Sequence, residues 1–421
     1  MINWARVHYN DEVKFTRVFA RASSILATMA FVLLPGSVHA STDTPPLTVA
    51  GRETFDLFAV PQGTDKGTAV LNKLQLSGTL HGDDLGLDGW SFHAQIFRFD
   101  GQSLSKHLGD IQTADNIEAV PATRLFEAYL SRLWKSGDHS VGVRLGLIDL
   151  NNQFDSIDTA SIMLNSSHGV GPDLSRSGIS GPSIYPMTAL GTTVTWVSSP
   201  AWTFRLGVFD GVAGNPDHPH AFVAERLKPN DGLFVIGQID RQVSKNAVLE
   251  AGLWGYSAAQ QGPTNRRAHD RGAYVSYEAP LALLPKLDFW LRAGFADRQA
   301  QTVSGYLGGG LVQEGTFSGR TKDRIGFAIA HAIVSLPAQK AFQLSGAETT
   351  FELTYQAVFS RSFVVQPDIA YVHHPAGFSN AQNSLGVGLR FVFVTAHPVR
   401  MEATDPGDPT IPPDGSLSTA D

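Results

Sequence analysis

The chain of 421 residues contains no cysteine, so neither a disulfide framework nor a thiolate metal site is available to it. Charged residues make up only 17%, acids outnumber bases 39 to 32, and there is no Lys/Arg block; nucleic-acid binding is disfavoured. Past the first forty residues no stretch offers the roughly 20 apolar residues that a spanning helix needs, which excludes a helical membrane bundle. Hydrophobic residues are nevertheless 43%, and with so little charge the chain is not of the disordered class. What remains is a Gly- and aromatic-rich chain with its hydrophobicity spread thin, at a mean hydropathy of −0.06. Its length fits two or three ordinary domains or one large β architecture.

The N-terminus reads as a secretory signal peptide over residues 1–40. Lys14, Arg17 and Arg21 precede the apolar run Ile25–Leu34, and Val38-His39-Ala40 places small residues for cleavage after Ala40. A short buried helix is the structural alternative. An exported, cysteine-free chain of a diderm bacterium is addressed to the periplasm or the outer membrane.

Periodicity in the rest is two, not 3.6. In Lys286–Ala296, Leu287, Phe289, Leu291, Ala293 and Phe295 fall on one face, with Asp288, Trp290, Arg292 and Gly294 on the other. Ser140–Ile148, Trp202–Phe209 and Lys73–His81 alternate likewise. A soluble sandwich would also alternate. Arg and Gly on the polar face, with Trp or Phe near strand ends, better suit a lipid-facing barrel with a wet lumen. Sixteen strands are expected near 52–61, 66–81, 89–99, 122–134, 140–149, 187–197, 202–209, 232–241, 246–256, 271–279, 286–296, 304–314, 323–333, 348–359, 363–372 and 383–394.

The connections alternate in length. Asp100–Pro121, Leu150–Pro186, Asp210–Asp231 and Ser257–Asp270 are long; Lys135–His139, Ser198–Ala201, Gln242–Lys245 and Pro280–Pro285 are short. One barrel end thus carries tight turns and the other extended loops, the outer-membrane topology; a Greek-key sandwich has no reason to alternate by parity. The expectation is an all-β transmembrane antiparallel barrel over residues 41–394, wide enough for an aqueous channel. The tail, 395–421, is rich in Pro and acid and reads as disordered and periplasmic.

Several stretches resemble the carbohydrate-selective porins of the OprB type. Gly319-Arg320-Thr321-Lys322-Asp323-Arg324-Ile325-Gly326 is similar to the family's Gly-Arg-x-x-Asp-x-x-Gly turn into a strand. Glu348, Glu352 and Tyr355 resemble its paired-glutamate strand. Val365-Gln366-Pro367-Asp368-Ile369-Ala370-Tyr371, running on to Pro375-Ala376-Gly377, looks like its Gln-Pro-Asp signature. Leu389-Arg390 sits in a last strand of the expected kind, and Leu147–Phe154, Asn165–Gly169 and Pro186–Pro200 look like the family's upstream core. Family chains usually stop at that last strand with a terminal aromatic; here Phe391 and Phe393 end it and a tail follows. The resemblance implies a channel for sugars and small polar solutes, with outer-membrane lipid and the barrel-assembly machinery as partners. It also implies a third external loop folded inward to narrow the pore. Monomer and homotrimer both remain open.

Arg144, Arg205 and Arg292 lie on the polar faces of three strands, with Arg390 or Arg124 as companions. Their guanidinium forks suit sugar hydroxyls, and Trp290, Tyr355 and Tyr371 could offer ring faces to sugar C–H surfaces. Asp288, Glu352 and Asp368 are expected along the same solute pathway; the structural alternative has the arginines paired with them to fix the wall. Asn151, Asn152, Gln153, Asp155 and Asp158 of the third loop, set against the arginines across a pore, would create a transverse field; the alternative is an ordinary surface loop.

No catalytic residue, cofactor or metal is expected. Asp217-His218-Pro219-His220 and His373-His374 supply too few ligands on loosely held loops. Gly178-Ile179-Ser180-Gly181 lacks a spacer residue of the nucleophile elbow, and Gly308-Gly309-Gly310 lies in a strand. A barrel phospholipase would need a His, a Ser and an Asn or acid on one apolar face, and no such trio is found. The expected function is passive diffusion of monosaccharides such as glucose; a general or anion-preferring porin is the alternative.

Overall fold

A computed structural model describes residues 47–396. The expected signal peptide, 1–40, lies outside the described residues. So does the expected tail, except that Thr395 and Ala396 belong to the last strand. The strands are β1 (Leu47–Gln62), β2 (Gly67–His81), β3 (Trp90–Gly101), β4 (Ala122–Ser136), β5 (His139–Ile148), β6 (Ala189–Ser199), β7 (Trp202–Asp210) and β8 (Leu233–Ser244). They continue as β9 (Ala247–Gln261), β10 (Arg267–Pro280), β11 (Leu287–Ala296), β12 (Val303–Glu314), β13 (Arg324–Val334), β14 (Ala347–Ser360), β15 (Phe363–His373) and β16 (Ser384–Ala396). Each pairs antiparallel with its chain neighbours, and β1 pairs with β16, so the sheet closes into a barrel of sixteen strands. Closure leaves no free edge, as a sheet in hydrocarbon requires, since each unpaired backbone group there costs several kcal/mol.

The period-two pattern translates directly into wall faces. Along β11, Leu291 and Phe295 are 57% and 63% exposed on the outside, while Trp290 and Arg292 are buried on the inside. The outward face is apolar along most of the wall. Near the long-loop end of β1–β3 it carries Glu53, Asn72, Arg98 and Asp100. These satisfy one another: Asn72 donates to Glu53 at 2.5 Å, and Arg98 pairs with Asp100 at 2.9 Å.

One end has tight turns at 137–138, 200–201, 245–246 and 361–362. The other carries L2 (102–121), L3 (149–188) and L4 (211–232). The expected long connection Ser257–Asp270 is in fact the tight turn 262–266, because β9 and β10 extend as a hairpin beyond the apolar stretch that revealed them. The first strand likewise starts at Leu47, not near residue 52.

L3 runs inside the barrel. Its Leu150, Phe154, Val170 and Leu174 pack on Phe209, Phe234, Trp254 and Tyr274 of β7–β10. Its Ile157, Ile162 and Met163 pack on Trp290, Val312 and Ala328 of β11–β13. L2 enters too, through Leu104, Leu108, Ala114 and Ile117 against Phe58, Val60, Ala69 and Leu71. Apolar loop residues pay the cost of ordering these long loops by leaving water.

L3 turns inward where β5 ends, and above Ala128 the edge of β4 has no β5 partner. L4 covers that gap. The Phe222 carbonyl accepts the Leu125 N–H at 2.8 Å, and the Arg124 guanidinium donates to the carbonyls of Pro186 and Pro219 at 2.8 and 2.5 Å. Arg124 is therefore a loop clasp, sealed from the lumen, and no companion of the pore arginines.

Candidate functional site

Arg292 projects inward from β11, as its parity requires, but it does not line open water. Its Nε and Nη2 donate to Asp155 at 2.7 Å each, and its Nη1 donates to Asp173 at 2.7 Å. The guanidinium also sits over the rings of Tyr274 and Tyr306, at 5.4 and 5.2 Å. All three charged side chains are fully buried. Two glycines make the approach possible: a Cβ on Gly171 would lie 2.0 Å from Arg292 Nη1, and one on Gly294 would lie 2.1 Å from Asp173. Expected pore residues Arg292 and Asp155 are thus corrected to an ion cluster that pins L3 to the wall. Asp155 does not face the arginines across open solvent.

Trp290 is corrected in the same way. It is sealed under Ile157, Ile162 and Met163, with its ring 5.4 Å from that of His168. Glu352 accepts the N–H groups of Leu164 and Asn165 at 2.5 and 3.0 Å, and His168 Nε2 stands 3.4 Å away. Gln366 donates to the Ile162 carbonyl at 2.6 Å, and Asp368 is buried beside it. Glu348 does for L2 what Glu352 does for L3, accepting the Ile111 N–H at 3.0 Å. The motif glutamates and the Gln-Pro-Asp strand are anchors for the two inward loops.

Arg390 closes the seam. It lies directly opposite Asp56 across β1 and β16, donates to both its oxygens, and reaches Asp115 at 3.0 Å and Asn116 at 2.8 Å in L2. Asp288 sits at the tight-turn end of β11, remote from these loops. Tyr355 and Tyr371 face outward: they share a face with Leu353 and Ile369, and Tyr371 packs on Phe351. Neither ring can meet a solute in the lumen. The reason is parity, since each stands three residues from an inward acid, Glu352 or Asp368.

On β2–β7 the inward residues His93, Tyr129, Arg144 and Arg205 keep partial exposure. Arg144 is half-buried there, with its guanidinium 5.0 Å from the Tyr129 ring centre. His93 stacks on the same ring at 5.1 Å and shares a 2.9 Å hydrogen bond with Thr79. Among the described residues no carboxylate lies within ion-pair distance of Arg144. Arg205 pairs with Asp240 and keeps 22% of its side chain exposed. From L3, Asn152 donates to Glu127 at 3.2 Å and Gln153 to Thr195 at 3.3 Å, while Asn151 turns back on its own loop. Residues Thr79, His93, Glu127 and Tyr129 did not stand out in the sequence. Only the pairing of β2 to β5 brings them to Arg144.

No curated protein sequence matches the chain. The high-pH structure of Pseudomonas putida OprB superposes with a TM-score of 0.72 at 18% identity, covering 83% of this chain and 94% of that one. The low-pH structure of the same protein gives 0.51 at 16% identity, covering 83% and 92%. At such identity these structures speak for the fold alone. A family model described as carbohydrate-selective porin, OprB family, matches residues 65–394, the barrel from β2 to the last strand. The chain belongs to the OprB family of carbohydrate-selective porins, barrels of the outer membrane.

Proposed function

We propose that monosaccharides such as glucose, with other small polar solutes, diffuse passively along the β2–β7 wall, and that Arg144 and Arg205 select them. The observation that carries this reading is Arg144, stacked on Tyr129 with its donors uncommitted to any carboxylate among the described residues. Sugar hydroxyls can accept those N–H groups while the C–H face of the ring rests on Tyr129 or His93. Such bonds are individually weak, so a sugar can leave as readily as it enters. Asp240 offsets the charge of Arg205, which favours a neutral polyol over an anion. Asn152 and Gln153 add uncharged donors and acceptors on the facing loop.

Arg144→Ala is expected to weaken glucose block of single-channel current by about tenfold or more, the scale of one lost hydrogen bond to a charged donor. Leu145→Ala, on the outward face, should leave block unchanged. Planar-bilayer recordings with and without glucose make the comparison, and equal block in wild type and Arg144→Ala sinks the assignment.

The tight turns are placed in the periplasm and L2–L4 outside, with residues 1–40 as the export leader and the chain beyond Ala396 on the periplasmic side. Long external loops and short periplasmic turns are the rule for such barrels. An epitope inserted at His218 in L4 should bind antibody on intact cells. Binding to an epitope at Ser199 instead would reverse the orientation.

A further inference from the structure

Arg132 of β4 points outward, on the face of Leu130 and Trp134, near the tight-turn end. Trp90 lies directly opposite it on β3. The Arg132 guanidinium carbon is 4.9 Å from the ring centre of Trp90 and 4.9 Å from that of Trp134. Its Nε is shielded from solvent and bonded to nothing, and among the described residues no carboxylate lies within ion-pair reach. Indole faces attract the cation but accept no conventional hydrogen bond, so the four N–H donors of its two Nη atoms look for an acceptor beyond the chain.

The position decides what that acceptor is. Outward aromatic residues at a barrel rim mark the membrane interface, where phospholipid head groups lie. A guanidinium held between two rings keeps its plane, and a planar fork matches two oxygens of a phosphate. Arg241 on β8 lies over one ring only, that of Trp202 at 4.6 Å, and lacks the second wall of such a clamp. We infer that Arg132, between Trp90 and Trp134, binds the phosphodiester of a membrane phospholipid. The periplasmic leaflet follows from the orientation proposed above; the phosphate chemistry does not depend on it.

Native mass spectrometry of the full-length protein in detergent tests this directly, without reference to orientation or to sugar passage. Three probes are titrated: phosphatidylglycerol, a diacyl glycolipid without phosphate, and inorganic phosphate. Wild type should retain phosphatidylglycerol at about tenfold lower concentration than the glycolipid, the scale of one charge-assisted phosphate contact. Arg132→Gln should lose that preference, and Lys135→Gln, at the end of the same strand, should keep it. Should Arg132→Gln not fold, as judged by heat-modifiable migration, Trp134→Leu opens one side of the clamp and should reduce the preference. Equal retention of the two lipids by wild type overturns the inference, as does an unchanged preference in whichever of the two clamp variants folds. Displacement of the phospholipid by inorganic phosphate would assign the site to a free anion and overturn the lipid assignment.

Discussion

Arg292→Ala is expected to lower the temperature at which the folded form converts on gels and to raise single-channel conductance in the same protein. Among the described residues the arginine is the sole cation between Asp155 and Asp173, and all three groups are out of water. Removing it leaves two carboxylates buried, unpaired and repelling. Breaking a buried pair from one side costs about 3–5 kcal/mol, much of it for the charge left behind. L3 meets the wall here, so the strain falls on the loop before it falls on the strands. A loop that samples positions off the β11 wall widens the lumen and makes the current noisier. The neutral combination Arg292→Met with Asp155→Asn and Asp173→Asn should recover much of the thermal stability, because no buried charge is orphaned. Leu291→Ala, one residue away on the outward face, should leave conductance alone. If Arg292→Ala kept wild-type conductance and conversion temperature, L3 would be held by its apolar contacts and by Glu352, and the ion cluster would be incidental.

The wall was legible in the sequence because it is periodic. Alternation over Lys286–Ala296 puts Arg292 inside and Leu291 outside with no reference to any other segment. The same rule also decides the two tyrosines. Glu352 and Tyr355 are three residues apart, as are Asp368 and Tyr371, so neither tyrosine can share the lumen with its acid. The partners of the inward arginines were not legible. Arg292 meets Asp155 across 137 positions of chain, and Arg390 meets Asp56 across 334. Those contacts depend on how L3 folds and how the sheet closes, and neither has a period. The apolar residues of L3, such as Leu150, Phe154 and Ile162, are spaced irregularly because they answer to a curved inner wall. Acids in that loop therefore read as pore lining, although two of its aspartates, Asp155 and Asp173, are its attachment points. The Arg144 site suffers from the same limit. Arg144 showed itself by parity, but Tyr129 and His93 join it only through the register of β3, β4 and β5.

Arg390→Met is expected to impair the barrel more broadly than Arg292→Ala, and to do so in a pH-dependent way. Asp56 and Arg390 face each other across the β1–β16 pair, the contact that turns a sheet into a cylinder. The same guanidinium holds Asp115 and Asn116 of L2. Its loss orphans two buried aspartates at the seam, for about 3–5 kcal/mol, and loosens L2 at once. In the native protein, burial and the neighbouring Asp56 carboxylate already hold the Asp115 carboxyl well above the usual carboxylate range, against the pull of Arg390. Without the arginine that pull vanishes and the carboxyl rises further. A carboxyl whose folded value lies above its unfolded value of about 4 favours the folded state when protonated, and that contribution is lost as pH rises through the folded value. Arg390→Met should therefore lie furthest below wild type at neutral pH and close part of the gap as pH falls toward 5. Asp115→Asn added to Arg390→Met should flatten the dependence by removing one titrating group. Conversion temperature on gels, followed between pH 5 and 8 for wild type and both variants, reads all of this. A gap that stays constant over that range would mean that the orphaned carboxyls find water, and that the seam is held by its backbone ladder without the charge cluster. A gap that widens on acidification would contradict the sign itself. The cluster would then act through carboxylates that must stay ionised, and L2 would have to draw its hold from Glu348 and the Ile111 N–H instead.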